Sequence, residues 1–378
     1  MWDVQLFKLD FDEKEKNGVN SVLESGWLAM GETVAKFESN FGRYLGQDIS
    51  TNAVSSCTAA LHLGLIALGV KPGDEVVIPS LTFIAAPNVV EIIGAKPVLA
   101  DCKSLDHWNM SLESIKKVVT SKTKVVMVVH FAGVPCEDIA EIKDFCKENK
   151  IGLLEDAAHA PGASIHGKMC GTWGDIGCFS FYSNKNVSIG EGGATSTSDD
   201  GLHNQLKYLR AHGMTTALLD RHKGRSTSYE IDRPGLNYRM DEIRAAIGIA
   251  QLDKLDNNNQ KRDKLVNHYK ECLQGSIFKI PFIHQNKDSK SSNHIMPILL
   301  PDDIERLDII NFLKEKKIQS SIHYPAFWTF KAYKSKFTAS DSPITAKICE
   351  KELTLPLYPS MTFEQVEIVA NALLEYKI

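Results

Sequence analysis

Between residues 50 and 250 the chain alternates short apolar runs with segments whose apolar positions recur every three or four residues. VVIPSLTFIA (76–85), AKPVLADC (95–102), TKVVMVVHFAG (123–133), IGLLEDAAHA (151–160) and IGCFSFY (176–182) are almost continuously apolar, the pattern of strands covered on both faces. CTAALHLGLIALG (57–69) and PCEDIAEIKDFCKENK (135–150) read as helices between them. In the second, acidic residues open the segment, Ile139, Ile142 and Phe145 make one stripe, and lysines close it, matching the helix dipole. Strands alternating with helices predict an α/β fold with a mainly parallel sheet flanked by helices.

After residue 240 the texture changes. MDEIRAAIGIAQLDKLDNNNQKRDKLVNHYKECL (240–273) predicts one long helix or two in tandem, with NNNQ as a candidate bend. HQNKDSKSSN (284–293) reads as a loop. IMPILLP, IERLDIINFLKEKKI and TFEQVEIVANALLEY predict a smaller C-terminal α+β domain. The expected division is a large domain over 1–250, including the N-terminal segment, and a small one over 251–378.

Composition narrows the classes. The chain has 378 residues, 43% hydrophobic and 24% charged, an ordinary globular profile with a core large enough to hide a cofactor. A net charge of −4 with no long basic block argues against nucleic acid as a partner. MWDVQLFKLDFDEKEK lacks the layout of a secretory signal, and no apolar run approaches the roughly 18 residues that span a bilayer. A cytoplasmic protein without membrane partners is expected. Eight scattered cysteines, with no C-x-x-C pair, read as reduced thiols and supply no metal site.

In an open parallel sheet, ligands collect beyond the carboxyl ends of the strands. Asp156 follows one apolar run and Lys185 another, Thr82 and Phe83 close a third, and a helix opens near Thr58 after VSSC. Taken singly, a buried carboxylate or a lysine is better read as half of an ion pair. The set shifts that balance. SSCTAALH offers hydroxyls and free backbone N–H groups at a helix start, a natural phosphate cradle, and Ser180 can add a donor. A phosphate cradle, a carboxylate, a lysine and the aromatic face of Phe83 together match the needs of pyridoxal phosphate.

The sequence also resembles the sugar aminotransferases of the DegT/DnrJ/EryC1/StrS family, within the fold-type-I pyridoxal phosphate enzymes. The markers run through almost the whole chain: KPGDEVVIPSLTFIA, GAKPVLADC, EDAAHAPGA, GDIGCFSFYSNKN, GEGGA, LRAHG, LNYRMDEIRAA, HYP and LPLYP. The resemblance implies that Lys185 forms the Schiff base with the cofactor, Asp156 pairs with the pyridine nitrogen, and His159 sits near the phenolic oxygen. It implies that Thr58, the Cys57 backbone and Ser180 hold the phosphate. Asn237, in LNYR, would reach the phosphate of a partner subunit, which implies a homodimer with shared active sites. Two departures stand out: the family usually has glycine at Cys57, and often Pro-Thr where this chain has Ser183 and Asn184.

The implied reaction takes an amine from L-glutamate and delivers it to a nucleotide-linked keto sugar, with UDP or dTDP as carrier, for surface glycans. Lys185 would serve as nucleophile and proton carrier, which requires a depressed pKa; burial and a nearby pyridinium both act in that direction. EDAAHA, with His159, looks more like family members acting at C4 than at C3. His323 and Tyr324 in HYP, and Arg239 in LNYR, are candidate substrate contacts, although Tyr324 fits a packing role equally well. RHKGR (221–225) fits a diphosphate contact or a solvated loop. The family's dehydratase branch, in which histidine replaces the lysine, disagrees with Lys185. A regulatory protein without turnover would show an added domain or a damaged site. A nicotinamide dehydrogenase or a P-loop enzyme needs glycine spacings that are absent.

Overall fold

A computed structural model describes residues 2–215, 230–283 and 286–376. RHKGR (221–225) lies outside the described residues, as do the first two positions of HQNKDSKSSN.

A seven-stranded sheet forms the centre. In chain order its strands are β1 (Ser50–Val54), β2 (Glu75–Pro79), β3 (Lys96–Ala100), β4 (Thr123–Val129), β5 (Gly152–Asp156), β6 (Ile176–Ser180) and β7 (Gly193–Thr197). The spatial order is β1-β7-β6-β5-β4-β2-β3. β7 runs antiparallel to both its neighbours, and the pairs from β6 to β3 are parallel. All five apolar runs are therefore strands of the predicted mainly parallel sheet, each shorter than its run.

The shortening has local causes. In VVIPSLTFIA the strand stops at Pro79, which has no N–H to give to a ladder. The chain then turns into the helix Ala85–Ile92, which carries Pro87 in its first turn, where a missing N–H leaves no bond unmade. In TKVVMVVHFAG the strand stops at Val129 and Phe131–Gly133 make a 3₁₀ turn. β1 escaped the apolar pattern because STNAV is polar. Its buried Thr51 hydroxyl donates to the Glu38 carbonyl, and Asn52 donates to the His203 carbonyl.

Alternate strand residues pack on opposite faces. Val76, Ile78, Val125, Met127 and Leu154 lie in one core with the helix Cys57–Ala67. Val77, Val126, Val128 and Leu153 lie in another with Ile139, Ile142 and Cys146 of the helix Ile139–Glu148. Apolar side chains on both faces make the runs continuous, and this two-sided burial is the main stabiliser of the sheet. None of the eight cysteines is disulfide-bonded.

One helix of 31 residues, Glu242–Cys272, passes uninterrupted through NNNQ, so the tandem alternative does not apply. Ala245 and Leu255 join the core around Phe37, Phe41, Phe179 and Phe181. Leu265, Val266, Tyr269 and Leu273 join a different core with the C-terminal strands β8 (Met296–Leu299) and β9 (Glu352–Leu355). Val4 packs in that second core, so the N-terminal segment reaches the C-terminal part of the chain. HQNKDSKSSN includes a two-residue strand, Ser289–Lys290, paired with Ser164–Ile165. No helix among the described residues is long and apolar enough to cross a membrane.

Candidate active site

The sheet register brings the strand ends together. Val54 of β1 and Ser180 of β6 both pair with Gly193 of β7, while Asp156 of β5 pairs with Cys178 of β6 and with Val129 of β4. Beyond β1, Ser56 caps the helix Cys57–Ala67, its hydroxyl accepting the Ala59 N–H at 3.1 Å. The N–H groups of Cys57 and Thr58 in that first turn have no partner among the described residues, as expected at a helix start. Gly193 allows the close approach: a Cβ there would stand 2.6 Å from Cys57 N and 2.7 Å from the Phe179 carbonyl oxygen.

After β6 the chain makes a tight loop that presents Lys185. The Lys185 N–H donates to the Tyr182 carbonyl at 2.8 Å, and the Ile189 N–H returns to the Phe181 carbonyl at 2.9 Å. Ser183, one of the two departures before the lysine, staples this loop. Its hydroxyl donates to the Gly190 carbonyl and its carbonyl accepts from the Ser188 hydroxyl.

These elements enclose a cavity of about 330 Å³. Of the residues singled out from sequence, Cys57, Thr58, Phe83, Asp156, His159, Ser180, Lys185, His323 and Tyr324 line it. Asn237 and Arg239 do not. Asn237 is exposed and bridges to Ala211, and Arg239 bridges to Val54. Tyr182, Asn184 and Glu191 also line the cavity and were not anticipated.

Burial controls the charges. It pulls the Lys185 amine down to about 8, against the opposing pull of the Asp156 carboxylate. Burial pushes the Asp156 carboxyl up, opposed by the Ala158 N–H that it accepts at 3.0 Å and by the charge on Lys185. The Cys57 thiol, 3.9 Å from Asp156 Oδ1, is pushed far up by burial and stays a thiol.

His159 is held well below its ordinary range by burial, then by Lys185, and is neutral. Its Nδ1 accepts the Ala132 N–H at 3.2 Å, so its proton resides on Nε2, which donates to the Tyr324 hydroxyl at 2.9 Å. The Phe83 ring, half exposed at the mouth, lies 5.4 Å from that of Tyr324. His323 is pulled down to about 3 by burial and is anchored by Thr354, 2.8 Å from its Nδ1, and by Glu352, which accepts its N–H at 2.7 Å. His294, which no motif brought forward, sits 3.2 Å from Lys185 Nζ through its Nε2.

Solved structures share this fold. The chain superposes on Spr1654 of Streptococcus pneumoniae, a candidate sugar aminotransferase solved in its PLP form, with a TM-score of 0.89 and 29% identity over 98% of this chain and 97% of that one. The fold and the site define a fold-type-I aminotransferase. Residues 9–374 match the DegT/DnrJ/EryC1/StrS aminotransferase family, and the chain belongs to it. Among its relatives are the GDP-perosamine synthase of Escherichia coli O157:H7, 34% identical over 99% of this chain and 98% of that protein, and the UDP-4-amino-4-deoxy-L-arabinose–oxoglutarate aminotransferase of Shewanella sediminis, 34% identical over 96% and 95%.

Proposed function

We propose that this chain binds pyridoxal phosphate and transfers an amino group from L-glutamate to C4 of a nucleotide-linked keto sugar. The observation that carries the reading is the convergence of Lys185 and Asp156 in one cavity whose wall includes the unpaired helix start at Cys57 and Thr58.

The residues fit that cofactor. The N–H groups of Cys57 and Thr58, with the Thr58 and Ser180 hydroxyls, suit a phosphate, and Gly193 keeps the helix start close to the sheet end. Asp156 suits a protonated ring nitrogen, whose positive charge would offset the burial that now pushes the carboxyl up. The cysteine that replaces the usual glycine keeps its backbone N–H at the cradle and carries a neutral side chain, so it subtracts nothing from the charge balance.

When bound, pyridoxal phosphate supplies an aldehyde that links to amines and a ring that withdraws electrons from the bonds beside the linked nitrogen. The chain supplies the rest. Lys185, with a pKa near 8, is partly neutral at physiological pH and offers a lone pair as nucleophile and proton carrier. Asp156 holds a proton at the ring nitrogen. His159, locked as the Nε2–H tautomer, lines the cavity as a neutral ring and adds no competing charge. His323 and Tyr324 line the same cavity and are assigned to the sugar.

The choice of substrates is supported by the names of two relatives, one printing a GDP-linked sugar and the other a UDP-linked 4-amino sugar with oxoglutarate, together with the EDAAHA motif around His159. We assign Asn237, exposed and outside its own cavity, to the phosphate end of the site in a second copy, and so read the enzyme as a homodimer. The test is incubation with pyridoxal phosphate, glutamate and a panel of GDP-, UDP- and dTDP-linked 4-keto and 3-keto sugars, followed by mass spectrometry. An amino sugar from a 4-keto substrate with matching 2-oxoglutarate supports the reading. Amination of 3-keto substrates alone would move the position, and no turnover across the panel would favour a cofactor-binding regulator.

A further inference from the structure

Two features remain outside the scheme above: Asn186, directly after Lys185, and the NNNQ run inside the long helix. Both lead to His294. The Asn259 amide nitrogen donates to the Pro161 carbonyl at 3.0 Å. A carbonyl can only accept, so the orientation of that amide is fixed and its oxygen faces Asn186. The Asn186 amide nitrogen donates to Asn259 Oδ1 and to the Ser292 carbonyl, each at 2.8 Å, committing both its hydrogens. Its Oδ1 is thus the acceptor that meets His294 Nδ1 at 2.9 Å, and Nδ1 carries the proton. His294 is buried and pushed well below its ordinary range by burial, then by Lys185, His159 and Arg262, so the ring is neutral. The remaining lone pair is on Nε2, and it accepts from Lys185 Nζ at 3.2 Å.

Every link in this chain has one direction, set from its carbonyl end. The backbone that carries the imidazole is pinned, because the His294 N–H is tied to the Ala132 carbonyl at 2.9 Å and its own carbonyl accepts from buried Arg262 at 3.2 Å, and the ring itself is held at Nδ1 by Asn186. Among the described residues, His294 Nε2 is the one side-chain partner of the lysine amine. Asp156 acts on that amine by charge without a hydrogen bond.

We propose that His294 is a positioning residue for Lys185, oriented by Asn186 and Asn259. It accepts one N–H of the amine whenever the amine is not engaged by the cofactor, and so leaves the lone pair directed away from the imidazole, toward the cavity. This rests on the reading of Lys185 as the cofactor-linking amine. It accounts for two polar side chains in the packed interior: Asn259 serves the orientation of His294, and Asn186 connects the two. His159 and His294, whose ring centroids are 4.4 Å apart, hold opposite tautomers for opposite tasks.

The test uses the full chain without cofactor and with histidine labelled with nitrogen-15, the His294 signal being assigned by its loss in His294→Gln. The expected spectrum shows His294 protonated at Nδ1 and bare at Nε2. A proton on Nε2, or an imidazolium at neutral pH, overturns the proposal. A second readout is the stopped-flow rate at which the cofactor-free protein captures pyridoxal phosphate. His294→Phe should slow capture about five- to tenfold, while His294→Gln, which retains an acceptor near the Nε2 position, should stay within about twofold, as expected for one orienting hydrogen bond. Equal rates in His294→Phe and the unaltered chain, or equal losses in both variants, overturn it. If His294→Phe does not fold, the tautomer in the unaltered chain decides. Neither readout uses a sugar or glutamate, so failure of amination with both results intact would remove the substrate reading and leave this one standing.

Discussion

His159 and Tyr324 meet at 2.9 Å, with the imidazole donating from Nε2 and the phenol oxygen accepting. The two come from distant parts of the chain, one after β5 and the other in HYP. Tyr324 thus lines the cavity and also accepts the Nε2 proton of His159, whose tautomer is set by the Ala132 N–H at Nδ1. Tyr324→Phe leaves a buried N–H unpaired. It should destabilise the cofactor-free protein by about 1–3 kcal/mol, measured by urea unfolding. A loss within error would mean that water or another group replaces the hydroxyl.

The depressed Lys185 pKa has a definite signature in stability. The amine titrates near pH 8 when folded and near its ordinary 10.5 when unfolded. Between those values the unfolded chain binds more protons, so the contribution of this group to stability rises with pH across that window. Below pH 8 the buried charge carries its full penalty, on the order of 3 kcal/mol. Lys185→Met should therefore be more stable than the unaltered cofactor-free chain at pH 7, and the difference should shrink between pH 8 and about 10.5. Comparing the two proteins cancels the buried tyrosines and thiols, which titrate on the alkaline side in both. A difference independent of pH would mean that the amine is not buried as described.

Much of this organisation is legible in sequence, for physical reasons. The five apolar runs declare themselves because both faces of the sheet are covered, and Lys185 and Asp156 declare themselves because each ends such a run. β1 does not, because its burial is satisfied by hydrogen bonds through Thr51 and Asn52. Ser183 has no meaning in isolation, since its partners Ser188 and Gly190 meet it only in the closed loop. Asn259 and His294 lie 73 and 108 positions from Asn186 along the chain, and only tertiary contact turns three ordinary polar residues into a directed chain. NNNQ looked like a bend because asparagine disfavours helix interiors; Asn259 is kept there by a buried carbonyl and a buried amide that need it.

Gly193 tests the cradle. A methyl group there meets backbone atoms of Ser56, Cys57 and Phe179 at 2.6–2.7 Å, and backbone cannot rotate aside. Gly193→Ala should cost about 1–3 kcal/mol in stability, as overpacking does, and weaken pyridoxal phosphate binding by pushing the helix start away from Ser180. Gly275→Ala is the control: a Cβ there meets nothing within 4 Å, so it bears only the strain of its φ of 74° outside the cavity and should leave cofactor affinity intact. Comparable losses of affinity in both would place the phosphate elsewhere.

Asp156→Asn keeps the shape of the side chain and removes its charge. The Lys185 pKa should fall below 8, because the carboxylate now supports the charged amine. Turnover should drop on the order of 10²–10³-fold, the usual loss for one preorganised electrostatic group, with cofactor still bound. Cofactor binding and turnover both unchanged would remove Asp156 from the site.

The account depends most on Lys185, and one measurement addresses it directly. The protein is loaded with pyridoxal phosphate, reduced with borohydride and digested, and the peptides are weighed. The cofactor's mass should appear on the peptide carrying Lys185, and Lys185→Ala should show neither that modified peptide nor any formation of 2-oxoglutarate from glutamate. Stable labelling of a different lysine, or amine transfer that survives Lys185→Ala, would contradict it.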